Sequence, residues 1–283
     1  MKNSQQITRA MKFVAAARLR RAQEAALAAR PYARELAWVL RSTMARIQEP
    51  QHPLLERREE KNVLAIVLTG ERGLAGAFNA NILRKANEFF RANRDKKVVT
   101  IPVGKKGRDA LKKAGFTFAG EWVNVLARVE FKSAREIAKL ATDLYAEKKV
   151  DSVYIIFSEF KSVMTSNLMV EKLLPVEAIR EEAGGNEEKE SGKTAEVQVD
   201  YIYEQPEAQL LDKLLPRYVE TQILRAMLES SASEYAARMT AMESATKNAG
   251  DVIEALTLYM NKVRQAAITK EIIEIVSGAS YGS

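Results

Sequence analysis

Residues 228–277 constrain this chain more than any other stretch. Leu228, Ala232, Tyr235, Met239, Met242, Thr246, Ala249, Ile253, Leu256, Met260, Val263 and Ala267 recur at spacings of four and three without a slip. A helix with that seam carries one apolar stripe and must lay it along another helix. At ~1.5 Å per residue the seam runs on the order of 60 Å. The next seam position is Lys270, so pairing is predicted to end at Ala267. Ile268, Ile272, Ile275 and Val276 would then belong to a single protruding tip.

A partner seam lies at the other end of the chain. Ala15, Leu19, Ala22, Ala26, Ala29, Ala33, Leu36, Leu40, Thr43 and Ile47 keep the same phase, and Ile7, Met11 and Val14 extend the apolar face towards the N-terminus. The alanines let two backbones approach closely but bury little side-chain area per turn. Pro31 inside the run removes a helix hydrogen bond and predicts a kink rather than a stop. Either seam alone reads as an ordinary bundle helix. Two long matched seams at opposite ends favour an antiparallel coiled coil closed by the chain itself.

Between the arms the period changes. NVLAIVL (62–68), KVVTIPV (97–103) and SVYIIFS (152–158) are short apolar runs, as expected of buried parallel strands. Helices are predicted over 80–92, within GKKGRDALKKAG, and over 134–148. LMVEKLLPV (168–176) and VQVDYIY (197–203) alternate and read as outer or antiparallel strands. Such alternation implies a Rossmann-like α/β layer domain. The division is then an N-terminal coiled-coil helix (1–55), a central α/β domain (56–206) and a C-terminal coiled-coil helix (207–283). Residues 179–194 are acidic, bear glycines and read as a solvated excursion.

GERGLAG follows a strand and precedes a helix, where a phosphate-cradling loop would stand. Its glycines, Gly70, Gly73 and Gly76, lack the tight G-x-G pair of a dinucleotide site, and GKKG lacks the rest of a P-loop. Close turning and packing is the favoured reading. No nucleophile–histidine pair and no clustered acidic metal ligands are found, so no catalytic residue, cofactor or metal site is assigned. With no cysteine, disulfides and thiolate chemistry are excluded. His52, the one histidine, lies between two prolines and reads as a solvated loop residue. No run of about 18 apolar residues is present that would span a membrane as a helix.

The net charge of +7 is uneven. Residues 1–48 hold ten Lys/Arg against Glu24 and Glu35, a net +8, which leaves −1 for the rest. Nucleic acid, anionic lipid and an acidic protein surface all fit a basic helix. The span has no nucleic-acid-binding module and few aromatics, which favours the acidic protein.

The two arms resemble the gamma subunit family of F-type ATP synthases. KNSQQITRAMKFVAAARLRRAQ (2–23), ERGLAGAFNANI (71–82), LLPRYVETQI (214–223) and SEYAARMTAMESATKNAGDVIEALTLYMNKVRQAAITKEIIEIVSGA (233–279) match its motifs in order. The resemblance implies a non-catalytic rotor shaft inside a ring of three alpha and three beta subunits. Its foot would rest on epsilon and a membrane-embedded c ring driven by protons or sodium ions. It also implies a peripheral place on the cytoplasmic face of a bacterial plasma membrane and a further helical stretch ahead of KNSQQIT. Carried over by motif, Arg264 and Gln265 would contact a beta-subunit loop, where an arginine fork suits a carboxylate. Met11, flanked by Arg9 and Lys12, would face an acidic beta segment. Ile272, Ile275 and Val276 would form the tip bearing, and Tyr203 and Glu204 would lie near the c ring and epsilon.

Overall fold

The computed structural model describes residues 1–46, 52–176 and 207–281. Helix α1 (Lys2–Arg46) is 45 residues long and α5 (Glu207–Tyr281) is 75. Between them stand β1 (Asn62–Leu68), α2 (Phe78–Ala92), β2 (Lys97–Val103), α3 (Lys105–Lys113), α4 (Phe131–Ala146), β3 (Ser152–Phe160) and β4 (Ser166–Leu174). The strand order is β2-β1-β3-β4. β1 runs parallel to both β2 and β3, and β4 closes the sheet antiparallel to β3. The predicted central strands and helices therefore stand where the periodicity put them. The predicted strand 197–203 and the acidic excursion lie outside the described residues.

The strands alternate their side chains between two helical layers. Ala65, Val67 and Ile156 pack beneath α2, whose Phe78, Ile82, Ala86 and Phe90 form a four-residue-spaced face. Leu64, Ile66, Leu68, Ile155 and Phe157 meet the other layer, formed by α4 and the start of α5. Leu211, Leu215, Val219 and Ile223 of α5 and Leu40 of α1 are buried in that same core. Both arms are thus seated in the sheet domain rather than merely tethered to it. Burying a leucine in this way is worth about 1.5–3 kcal/mol.

The arms run antiparallel. Gln5 and Thr8 meet Thr246, Lys12 meets Glu243, Arg18 stacks over the Tyr235 ring, and Arg30 meets Glu229. The α1 seam from Ala15 to Thr43 is buried or half-buried at every predicted position, and α1 continues through Pro31.

The described residues of α1 cover α5 as far as Ile253, and Leu256, Met260 and Val263 beyond it are exposed. In this antiparallel register the first turn of α1 already lies at Gly250, where Gln5 sits 3.0 Å from a Cβ built on the glycine. Two expectations are corrected. Ile7, Met11 and Val14 do not extend the packed face, being exposed. The register there runs through Gln5, Thr8 and Lys12, one position round the helix, because these are what α5 meets. Finally, His52 is largely buried, with its side chain only 11% exposed. Its Nδ1 accepts from the Leu54 N–H, capping the 3-10 turn Pro53–Leu55, and its Nε2 lies 3.6 Å from Asp212 on α5.

Candidate functional site: the unpaired arm and its seat

Beyond Ile253, α5 continues to Tyr281, past the described residues of α1. At about 1.5 Å per residue this part reaches on the order of 40 Å. Its apolar residues are widely exposed, among them Leu256, Leu258, Tyr259, Met260, Val263, Ile268, Ile272, Ile273 and Ile275. A run of exposed apolar residues along one helix marks an interaction surface.

The predicted contact residues divide between this arm and the basic face of α1. Arg264 and Gln265 are exposed on this arm, about three turns before Ile275. Ile272 and Ile275 are 55% and 72% exposed. The Val276 side chain, Tyr203 and Glu204 lie outside the described residues. Arg9 and Met11 are exposed on α1, whereas the Lys12 ammonium is turned onto Glu243 of α5 at 2.6 Å. Arg9 and Met11 are therefore exposed on the paired shaft, two positions apart and so on different sides of α1, while Arg264, Gln265, Ile272 and Ile275 stand on the part of α5 beyond Ile253.

The seat of the arm lies where the order of strands reverses. β1 is followed by α2 and β2 on one side, and β3 lies on the other, so the ends of β1 and β3 flank a switch-point crevice. Open parallel sheets bind ligands in that crevice. Here α5 fills it. Ser233 donates to the Ser158 carbonyl at 3.1 Å, Ser231 to the Leu126 carbonyl at 3.0 Å, and Tyr235 to the Ala127 carbonyl at 3.3 Å. Glu229 accepts from the Phe160 N–H, and Phe160 packs with Leu19, Ala232, Tyr235 and Ala236.

GERGLAG lines the same contact. The Gly70 N–H donates to Asn79 Oδ1, folding the loop back onto α2. Gly70 stands against Glu234, Gly76 against Ala237 and Ala241, and Arg238 reaches the Gly73 carbonyl at 3.5 Å while pairing with Glu234 at 2.6 Å. Burial pushes the Glu234 carboxyl above its usual range; Arg238 opposes the shift and Glu71 adds to it. The glycines bring the loop close to a helix of the same chain, as the packing reading expects. At GKKG the same logic holds: Gly104 has φ 103°, and a Cβ there would stand 2.0 Å from the Thr69 carbonyl oxygen.

Glu229, Ser231, Ser233 and Glu234 escaped sequence reasoning. Their signal was present in LESSASEY, where polar residues fill every gap between Leu228, Ala232 and Tyr235. Such polar residues ordinarily form a solvated flank, but here all four are buried.

The family model described as ATP synthase matches residues 1–280. The ATP synthase gamma chain of Solibacter usitatus is 46% identical over 284 residues, covering 99% of this chain and 94% of the relative. That of Desulforamulus reducens is 47% identical over 280 residues with the same coverage. Among solved structures, the central stalk and c-ring structure of Tetrahymena thermophila mitochondrial ATP synthase contains a similar chain. It has TM-score 0.63 and 23% identity, covering 85% of this chain and 99% of that one. A chain in the Euglena gracilis OSCP/F1/c-ring structure has TM-score 0.59 and 19% identity, covering 99% and 95%. Both structural likenesses concern the fold.

Proposed function

The chain belongs to the ATP synthase gamma-chain family, and from that premise we propose how its geometry couples rotation to catalysis. It is the central stalk of the complex. Residues 1–55 and 207–283 are the shaft and 56–206 the foot. The shaft turns inside three alpha and three beta subunits, and the foot rides on epsilon and the c ring at the cytoplasmic face of a bacterial plasma membrane. The gamma chain performs no chemistry itself. As it turns, its asymmetric surface meets each beta subunit in a different way and favours a different conformation of the catalytic site; only such differential contact shifts an equilibrium.

The observation that carries this reading is the antiparallel α1–α5 shaft seated in the core of the sheet domain, with exposed apolar residues continuing along α5. Arg264 and Gln265 would grip a beta-subunit loop, and Arg9, Met11 and Lys12 an acidic beta segment. Lys12 retains part of its exposure beside Glu243 and can exchange that partner for another carboxylate. Ile272, Ile275 and Val276 would run in an apolar sleeve, while Tyr203 and Glu204 would sit by epsilon and the c ring.

The test is reconstitution with separately prepared alpha and beta subunits of a bacterial synthase. A stable complex with three alpha, three beta and one copy of this chain, and faster ATP hydrolysis than alpha and beta alone, is expected. A folded chain that neither assembles nor accelerates hydrolysis would refute the role.

A further inference from the structure

The weak point of such a shaft is its own seam. Alanine-rich contacts between α1 and α5 are apolar and non-directional, so they resist separation better than twist or slip. Directional resistance must come from polar bonds. Among the polar links between α5 and the foot, the neutral bonds of Ser231, Ser233 and Tyr235 to backbone carbonyls and the ion pairs Arg225–Glu171 and Arg135–Glu220 join α5 to the sheet domain without bonding α1.

Glu229 is built differently. It is 4% exposed on α5. One carboxylate oxygen, Oε1, accepts from Arg30 Nη2 of α1 at 3.1 Å, and the other, Oε2, accepts from the Phe160 N–H at the end of β3 at 3.1 Å. A single buried charge therefore bonds both shaft helices and the sheet. A buried carboxylate is costly to desolvate and persists only when its oxygens are satisfied. Removing either partner leaves it wanting, so the three elements are held in one relative orientation.

We propose that Glu229 is a torque latch, a positioning residue that locks the α1–α5 shaft to the end of β3 so that turning the foot turns both helices together. The proposal rests on the rotor role and adds to it the place where torque crosses from foot to shaft. Exposed apolar contacts on α5 beyond Ile253 would deliver torque to the beta subunits; Glu229 would receive it.

The test uses the complete complex in sealed vesicles, reading ATP hydrolysis and, with a potential-sensitive dye, the membrane potential built by it. Glu229→Gln keeps an acceptor for the Phe160 N–H but not the ion pair, and Arg30→Gln removes the same pair from the other side. Each is expected to lower the initial rate of potential generation per ATP hydrolysed several-fold. The double variant is expected to be no worse than the poorer single one, since both lose one shared interaction. A merely structural role would lower assembly or melting temperature and leave that ratio alone. Assembled variants with the parental ratio would overturn the latch. If Glu229→Gln does not assemble, Arg30→Gln, whose side chain is 41% exposed, decides the question by the same ratio. A parental complex that builds no potential would refute the rotor role itself, and the latch with it.

Discussion

Gly70 backs directly onto Glu234: a Cβ at Gly70 would stand 2.8 Å from the carboxyl carbon of that buried side chain. The loop after β1 is therefore in contact with the shaft through the absence of a side chain. Glu234 is pinned by Arg238, so it has little room to withdraw. Gly70→Ala is expected to cost about 1 kcal/mol, the ordinary cost of a modest overpacking. Gly104→Ala is a sharper case, because it meets the fixed Thr69 carbonyl at 2.0 Å and keeps a positive φ. It is expected to cost about 2–4 kcal/mol. Thermal melts of the two full-length variants check the order; equal losses would contradict it.

Acid stability should depend on Glu60. Burial works against its charge, but hydrogen bonds from Lys96, Lys172 and Tyr154 outweigh it and bring the pKa down to about 2. A depressed carboxylate contributes stability that is present above its unfolded value and is lost as pH falls through the folded one. Glu60→Gln should therefore melt lower than the parent at neutral pH, and the difference should shrink as pH falls from about 4.5 towards about 2. A difference that stays constant over that window would show that the three donors do not stabilise the charge.

Much of the foot was legible because its strands are buried on both faces. NVLAIVL and KVVTIPV read as strands from composition alone and have the predicted bounds. The α1 seam was legible because its alanines and leucines face one neighbour along the whole length. Where the reading failed, it lacked register. A heptad-like stripe says that Leu256 and Met260 suit a partner; it does not say that Gln5 of α1 lies opposite Gly250. The same ignorance put Met11 on the packed face when Lys12 and Thr8 occupy it. Glu229 was illegible for another reason. An acid flanking a seam is ordinarily solvated, and only the sheet brought against that flank turns it into a buried bridge between Arg30 and Phe160. His52 followed the same pattern, since its neighbour Asp212 is distant in sequence.

Glu234 should make the junction pH-sensitive in the direction opposite to Glu60. Its folded pKa is raised, chiefly by burial, so the folded chain holds the proton longer than the unfolded chain does. Stability then falls as pH rises from the unfolded carboxyl value of about 4.5 through the folded value. Glu234→Gln mimics the protonated form and keeps an oxygen for Arg238. It should melt no lower than the parent at pH 8, by up to a few degrees higher, and gain nothing near pH 4, where the parent carboxyl already holds its proton. A variant that melts lower than the parent at both pH values would mean that the Arg238 ion pair outweighs burial of the charge.

The distal part of α5 offers the opposite signature, a change that costs assembly but not folding. Leu256 and Met260 are 51% and 63% exposed and lie beyond the part of α5 that the described residues of α1 cover. Leu256→Ser with Met260→Ser removes little that folding has buried, so the melting temperature of the chain alone should move by no more than a few degrees. If the stripe docks against other subunits, the same pair of changes removes apolar area from that interface at about 25 cal/mol per Å². The share of chain recovered in complex with alpha and beta subunits should then fall several-fold in size-exclusion chromatography. By contrast, Leu40→Ala, at a fully buried position where α1 enters the foot, should cost about 2–5 kcal/mol in the chain alone. Serine variants that unfold the isolated chain as badly as Leu40→Ala would show that the stripe is covered within the chain, and the reading of it as a docking surface would fall.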